Sequence, residues 1–125
     1  MAKIVNEHND NDYIVLEMSS YQLENNPTIK PYIALITNLT PDHLLRYSSV
    51  DEYYLTKMNI FKNQDENDFA VINREDKEFS RLFPGTLAKK VYMNDFAKFL
   101  NFEAGLHGKH NIQNMLNIIS IAKII

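Results

Sequence analysis

The sequence predicts an α/β fold, a mainly parallel sheet flanked by helices. Three observations predict it. The apolar runs at 13–16, 32–39 and 69–73 are continuous rather than alternating. Such runs suit strands covered on both faces, as in a parallel sheet. Helical patterns separate the runs. The resulting order, strand then helix four times over, is that of an α/β layer.

The elements follow in chain order. Residues 7–12, EHNDND, read as a helix end or loop, and 13–16 read as a strand closed by Glu17. Ser19 or Ser20 can cap a short helix that ends at Asn25-Asn26-Pro27. Pro31 precedes the second strand, 32–39, and Pro41 can open a helical turn holding Asp42 and His43. Val50, Tyr53, Tyr54, Met58 and Phe61 then fall on one face of a helix over 50–63. The polar turn QDEND at 64–68 leads to a third strand at 69–73. A short helix at 76–82, a Pro84-Gly85 turn and a fourth strand at 89–93 follow. From Lys109 a last helix carries Ile112, Met115, Leu116, Ile119 and Ala122 on one face.

Composition narrows the function. The 125 residues make about one domain, and 45% apolar content supports one core. A net charge of -3 and the lack of a basic run interleaved with aromatics argue against a nucleic-acid partner. Without cysteine there is no disulfide framework and no thiolate chemistry, which suits a reducing cytoplasm. No signal peptide opens the chain, and no apolar run reaches the roughly 18 residues of a membrane span, so no membrane role is expected.

Three constellations carry possible chemistry. Lys57 sits inside the apolar stripe of its helix, four residues after Tyr53 and four before Phe61. Burial there disfavours the ammonium and leaves a nucleophilic amine able to capture carbon dioxide as a carbamate. Alternatively its stem lies along the stripe and the ammonium reaches water. Glu17 ends the first strand and His43 lies just past the second. Ligands of α/β sheets gather at the carboxyl ends of strands. Glu17, His43 and Lys57 are thus candidate metal ligands, with magnesium preferring oxygen donors and manganese accepting imidazole more readily. The ordinary alternative is a solvated strand end and a polar helix start. Residues 105–111, GLHGKHN, are not a phosphate loop, because the glycine spacing is wrong and His follows Lys109. Asn111 and Asn114 are one turn apart and can meet a base edge or serve as helix caps. Ser19 has no G-x-S-x-G frame and no visible base, so capping is its default and a serine hydrolase is not expected.

Together these residues resemble the central ATP-binding domain of the Mur ligases, in its D-glutamate-adding branch. Residues 16–23, LEMSSYQL, look like the E-L-S-S-F-Q-L segment, and 38–44, NLTPDHL, like N-x-T-x-D-H-L. Tyr53-x-x-x-Lys57-x-x-Ile60-Phe61 resembles the block with the family's carbamylated lysine. Val71-Ile72-Asn73 and residues 108–114, GKHNIQN, match two further blocks. The resemblance implies an ATP-dependent ligase of peptidoglycan synthesis, cytoplasmic, working through an acyl phosphate. Its substrates would be UDP-N-acetylmuramoyl-L-alanine, D-glutamate and ATP. Glu17, His43 and carbamylated Lys57 would hold Mg2+ (or Mn2+), with His43 and Lys57 also catalytic. Asn111 and Asn114 would face the adenine of ATP, and Ser19 and Gln22 the muramoyl substrate.

The departures set further expectations. Leu45 stands where the family commonly has the second Asp of D-H-x-D-R. No G-x-x-x-x-G-K-[ST] is present, though the family has one upstream of the Glu17 strand. Residues 1–125 thus read as part of the central domain, lacking the phosphate-loop segment and the amino- and carboxy-terminal domains. Such a piece is expected to be inactive alone, to lack a central strand, and to self-associate through an exposed sheet edge. The contrasting expectation is a non-catalytic α/β nucleotide-binding or interaction module that kept the fold.

Overall fold

Residues that must bury both faces of a strand have to alternate between two apolar layers. That is how the three strands are used in the computed structural model, which describes residues 12–41, 45–100 and 108–125. The strands are β1 (Ile33–Leu35), β2 (Phe69–Ile72) and β3 (Lys89–Tyr92). They form one parallel sheet in the order β1-β2-β3. Ala34 pairs with Ala70 and Leu35 with Val71; Val71 pairs with Val91 and Ile72 with Tyr92.

The helices are α1 (Ser20–Glu24), α2 (Val50–Met58), α3 (Lys77–Leu82) and α4 (Lys109–Ile124). Short 3-10 turns extend α2 over Asn59–Phe61 and follow β3 over Met93–Phe99. One core lies on the face shared by Ala34, Ala70 and Ile72, where Tyr53, Tyr54, Met58, Phe61 and Phe79 pack from α2, its 3-10 extension and α3. The other lies on the face of Val71, where Leu116 of α4 meets Met93, with Ile33 and Leu35 against them. Helices therefore cover both faces of a parallel sheet, as the sequence predicts.

Side-chain amides join the strand starts. Gln64 Nε2 donates to Pro31 O at 3.1 Å and to Phe69 O at 2.9 Å. Asn63 Nδ2 donates to Pro27 O and Ile29 O, fixing the loop that leads into β1. At the far end of β2, Asn73 Oδ1 accepts from Asn94 Nδ2 and from Glu75 N. The Pro84-Gly85 turn uses a φ of +87° at Gly85, which a side chain would strain.

Three expectations need correction. Residues 13–16 form no strand; Tyr13, Ile14 and Leu16 are about half exposed and Val15 is 93% exposed. An apolar run becomes a strand only beside a partner ladder, and no described strand flanks it. The second strand is three residues rather than eight, because only Ile33–Leu35 lies against β2. On α4 the expected stripe is rotated. Leu116, Asn117 and Ser120 are buried, while Ile112 and Ala122 are exposed. Ser120 is tolerated inside because its Oγ donates to Leu116 O at 2.7 Å.

Candidate active site

Two short helices carry three of the seven candidate residues, Ser19, Gln22 and Lys57, and both begin with serine caps. Ser19 caps α1: its Oγ accepts from Gln22 N. Gln22 Oε1 accepts in return from Ser19 N at 2.8 Å and from Ser19 Oγ at 3.2 Å, completing a capping box. Ser19 and Gln22, the two predicted substrate residues, are therefore hydrogen-bonded to each other, and both are exposed. Ser49 caps α2 by accepting from Glu52 N, and Asp51 and Glu52 place negative charge at its amino end.

The α2 stripe is buried as expected, with Tyr53, Tyr54, Met58 and Phe61 each at most 4% exposed. Lys57 is half-buried within it, and its Nζ lies 5.0 Å from the centre of the Tyr53 ring. This is cation–π distance, so the amine rests on an aromatic face instead of pointing into the core. Burial pushes the Tyr54 phenol upward, with Glu78 and Asp76 adding to it. Arg81 of α3 makes two bonds to the Asp51 carboxylate, at 2.8 and 2.6 Å, and also binds Glu78. The Arg81 hydrogen bond holds Asp51 below the usual carboxylate range and raises the guanidinium in turn.

A set of contacts that no periodic pattern signals joins α1 to α2. Arg46 Nη2 donates to Glu24 Oε2 at 3.0 Å, and its guanidinium lies 4.6 Å over the Tyr21 ring. Tyr21 stacks on Tyr47, Tyr47 tilts against Tyr53, and Tyr53 carries Lys57. The residues are spread over 21–57, so only the folded chain brings them together.

The remaining predicted residues fall as follows. Glu17 is exposed, in the irregular segment before α1 and outside the sheet. Asp42 and His43 lie outside the described residues. Among the described residues no group of three His, Cys, Asp or Glu converges. Asn111 is half-buried and Asn114 exposed, three residues apart near the start of α4. Gly108, with φ +114°, takes the N-cap of that helix without a side-chain bond, so neither asparagine is its N-cap residue. Leu45, in place of the expected Asp, is fully exposed. The helices that carry Lys57 and the Asn111–Asn114 pair pack on opposite faces of the sheet.

Residues 2–98 match the Mur ligase middle domain. The chain belongs to the Mur ligase family. Its α/β sheet with helices on both faces is thus a Mur ligase middle-domain fold. The chain is similar to the UDP-N-acetylmuramoylalanine--D-glutamate ligase of Fusobacterium nucleatum, 35% identical over 100% of this chain and 33% of the relative. It is 47% identical to the ligase of the same name from Natranaerobius thermophilus, over 93% of this chain and 30% of that protein. A Bacillus cereus relative of that name is 32% identical over 99% of this chain and 32% of its own length. This Mur ligase chain spans about a third of the length of these curated relatives.

Proposed function

We propose that this chain is part of the middle domain of an ATP-dependent ligase that adds D-glutamate to UDP-N-acetylmuramoyl-L-alanine in peptidoglycan synthesis. The observation that carries this is similarity over the full chain to D-glutamate ligases, on top of the match to the family's middle domain. In the proposed reaction the substrate carboxylate attacks the γ-phosphate of ATP, giving an acyl phosphate and ADP. The amine of D-glutamate then attacks the acyl carbon and phosphate leaves. The setting is the cytoplasm, where these nucleotide substrates are made.

The proposed roles follow from donor chemistry. Glu17 offers carboxylate oxygens, His43 an imidazole nitrogen, and Lys57, once its neutral amine adds carbon dioxide and loses a proton, carbamate oxygens. That set fits Mg2+ or Mn2+. A divalent ion held there supplies neutralisation of phosphoryl charge. Lys57 as a free ammonium offers no lone pair, so the carbamate is required for its role. His43 would lie beside the substrate, where an imidazole can orient the reacting carboxylate. Asn111 and Asn114 offer paired amide donors and acceptors to the adenine edge. Ser19 and Gln22 face the muramoyl portion.

A second reading is a non-catalytic module that kept the fold and the ability to bind a nucleotide or a partner. Two observations favour it: Leu45 in place of Asp, and Glu17 on a segment outside the sheet. Calorimetric titration of UDP-N-acetylmuramoyl-L-alanine and of ATP with Mn2+ separates the two. The ligase reading expects ATP binding by the chain to depend on Lys57 and to be lost in Lys57→Ala. The module reading expects binding indifferent to Lys57. Neither expects phosphate release by the 125 residues alone, and steady ATP- and D-glutamate-dependent release would overturn the expectation that the piece is inactive.

A further inference from the structure

We propose that Arg46 is a positioning residue. It holds α1, the helix bearing Ser19 and Gln22, in place against the helix that carries Lys57. The inference rests on the proposed substrate role of Ser19 and Gln22 for its functional consequence, though not for its geometry.

α1 has five residues, too few for a helix to persist by itself. It buries only Ser20 and Leu23. Its fixed position therefore depends on what grips it from outside. Arg46 grips it twice. One edge of the guanidinium binds Glu24 at 3.0 Å, at the last turn of α1. Its face covers Tyr21, one turn earlier on the same side, at 4.6 Å. Tyr21 also stacks on Tyr47, with rings 6.1 Å apart and only 8° from parallel. Tyr47 passes the contact to Tyr53 at 5.3 Å, whose ring carries the Lys57 amine at 5.0 Å. One continuous ladder thus runs from Glu24 through Arg46, Tyr21, Tyr47 and Tyr53 to Lys57.

The chemistry of the ladder asks for arginine. A guanidinium is flat, so it can bond a carboxylate at its edge while lying on a ring. An ammonium can do only one of these well. Arg46 touches neither Ser19 nor Gln22, so its effect on a ligand is transmitted by the placement of α1.

Amide exchange and calorimetry on the 125-residue chain test this together. The probes are the amides of Leu23 and Asn25, which donate to Ser19 O and Tyr21 O. Arg46→Ala is expected to speed their exchange about fivefold, from loss of an exposed ion pair and one cation–π contact. Exchange in β2 should stay unchanged. Affinity for UDP-N-acetylmuramoyl-L-alanine should fall by a similar factor. Arg46→Lys should give an intermediate result. Arg46→Glu combined with Glu24→Arg should restore both readouts toward the starting protein. Unchanged exchange at Leu23 and Asn25 overturns the proposal. So does faster exchange with undiminished affinity, which would leave Arg46 a merely structural contact. If the unsubstituted chain binds no UDP-N-acetylmuramoyl-L-alanine, the exchange rates alone decide whether Arg46 holds α1.

Discussion

Gln22 has its amide oxygen committed twice, to Ser19 N and to Ser19 Oγ. Toward a ligand it has only its two Nε2 hydrogens to offer, so any group it meets must be an acceptor. Gln22→Glu keeps the accepting oxygen and with it the capping box, whereas Gln22→Ala removes both. Urea unfolding should show Gln22→Glu close to the starting protein and Gln22→Ala weaker by about 0.5–1 kcal/mol. If the proposed substrate role holds, both should bind UDP-N-acetylmuramoyl-L-alanine more weakly. Equal binding by Gln22→Glu would remove Gln22 from the substrate site. Asp51 makes a second local prediction. Its carboxyl is held low by Arg81. A depressed acid stabilises the fold above its unfolded value, near 3.8, and loses that contribution as pH falls toward the lower folded value. Melting temperatures of Asp51→Asn and the starting protein should therefore differ at neutral pH and converge below about pH 4. A gap that persists in acid would show that the ion pair is not its source.

The helices differ in how well their sequences announce their buried faces. On α2 the apolar spacing and the buried face coincide, and in its 3-10 extension Phe61 is 1% exposed and meets the stacked Phe79 and Phe83 rings edge-to-face. Phe61→Ala should cost about 3–5 kcal/mol, much of a typical domain's stability, and is best read by denaturant midpoint. A cost under 1 kcal/mol would mean that the site collapses around the cavity. On α4 the apolar stripe and the buried face diverge. Isoleucine is frequent around the whole helix, so several faces score alike and packing against β2 chooses among them. The face chosen includes Asn117, only 5% exposed, whose Nδ2 finds no hydrogen-bond partner among the described residues. An unpaired buried donor is unfavourable, and an apolar group of similar shape removes the penalty. Asn117→Leu should therefore stabilise the chain, by about 1 kcal/mol in urea unfolding. Destabilisation would show that the amide has a partner in solution.

The sheet has two open edges among the described residues, along β1 and along β3. β3 carries exposed Lys89 and Lys90, which oppose pairing with another chain. β1 has no such charge, and the apolar run at 13–16 pairs with no strand among the described residues. Self-association through β1 is therefore the expected behaviour, seen by light scattering as a mass that rises with concentration. Introducing charge beside the edge, as in Tyr32→Lys, should lower that mass. A constant monomer mass would rule the β1 edge out as an interface.

The α/β class, the parallel strands, the serine cap of α1 and the place of Lys57 on the α2 stripe were all legible in the residues. Each follows from local spacing: continuous apolar runs, serine before a helix, a 3.6-residue stripe. The family blocks were legible too, because they are short contiguous motifs. Three features were not. Whether 13–16 becomes a strand depends on a neighbouring ladder that the run itself does not contain. Which face of α4 is buried depends on the surface offered by Val71 and Met93. The ladder from Glu24 to Lys57 joins residues from two helices and a loop, and nothing periodic links them. Contacts between segments far apart in the chain are a property of the packed molecule, and here they determine how α1 is held against the helix of Lys57.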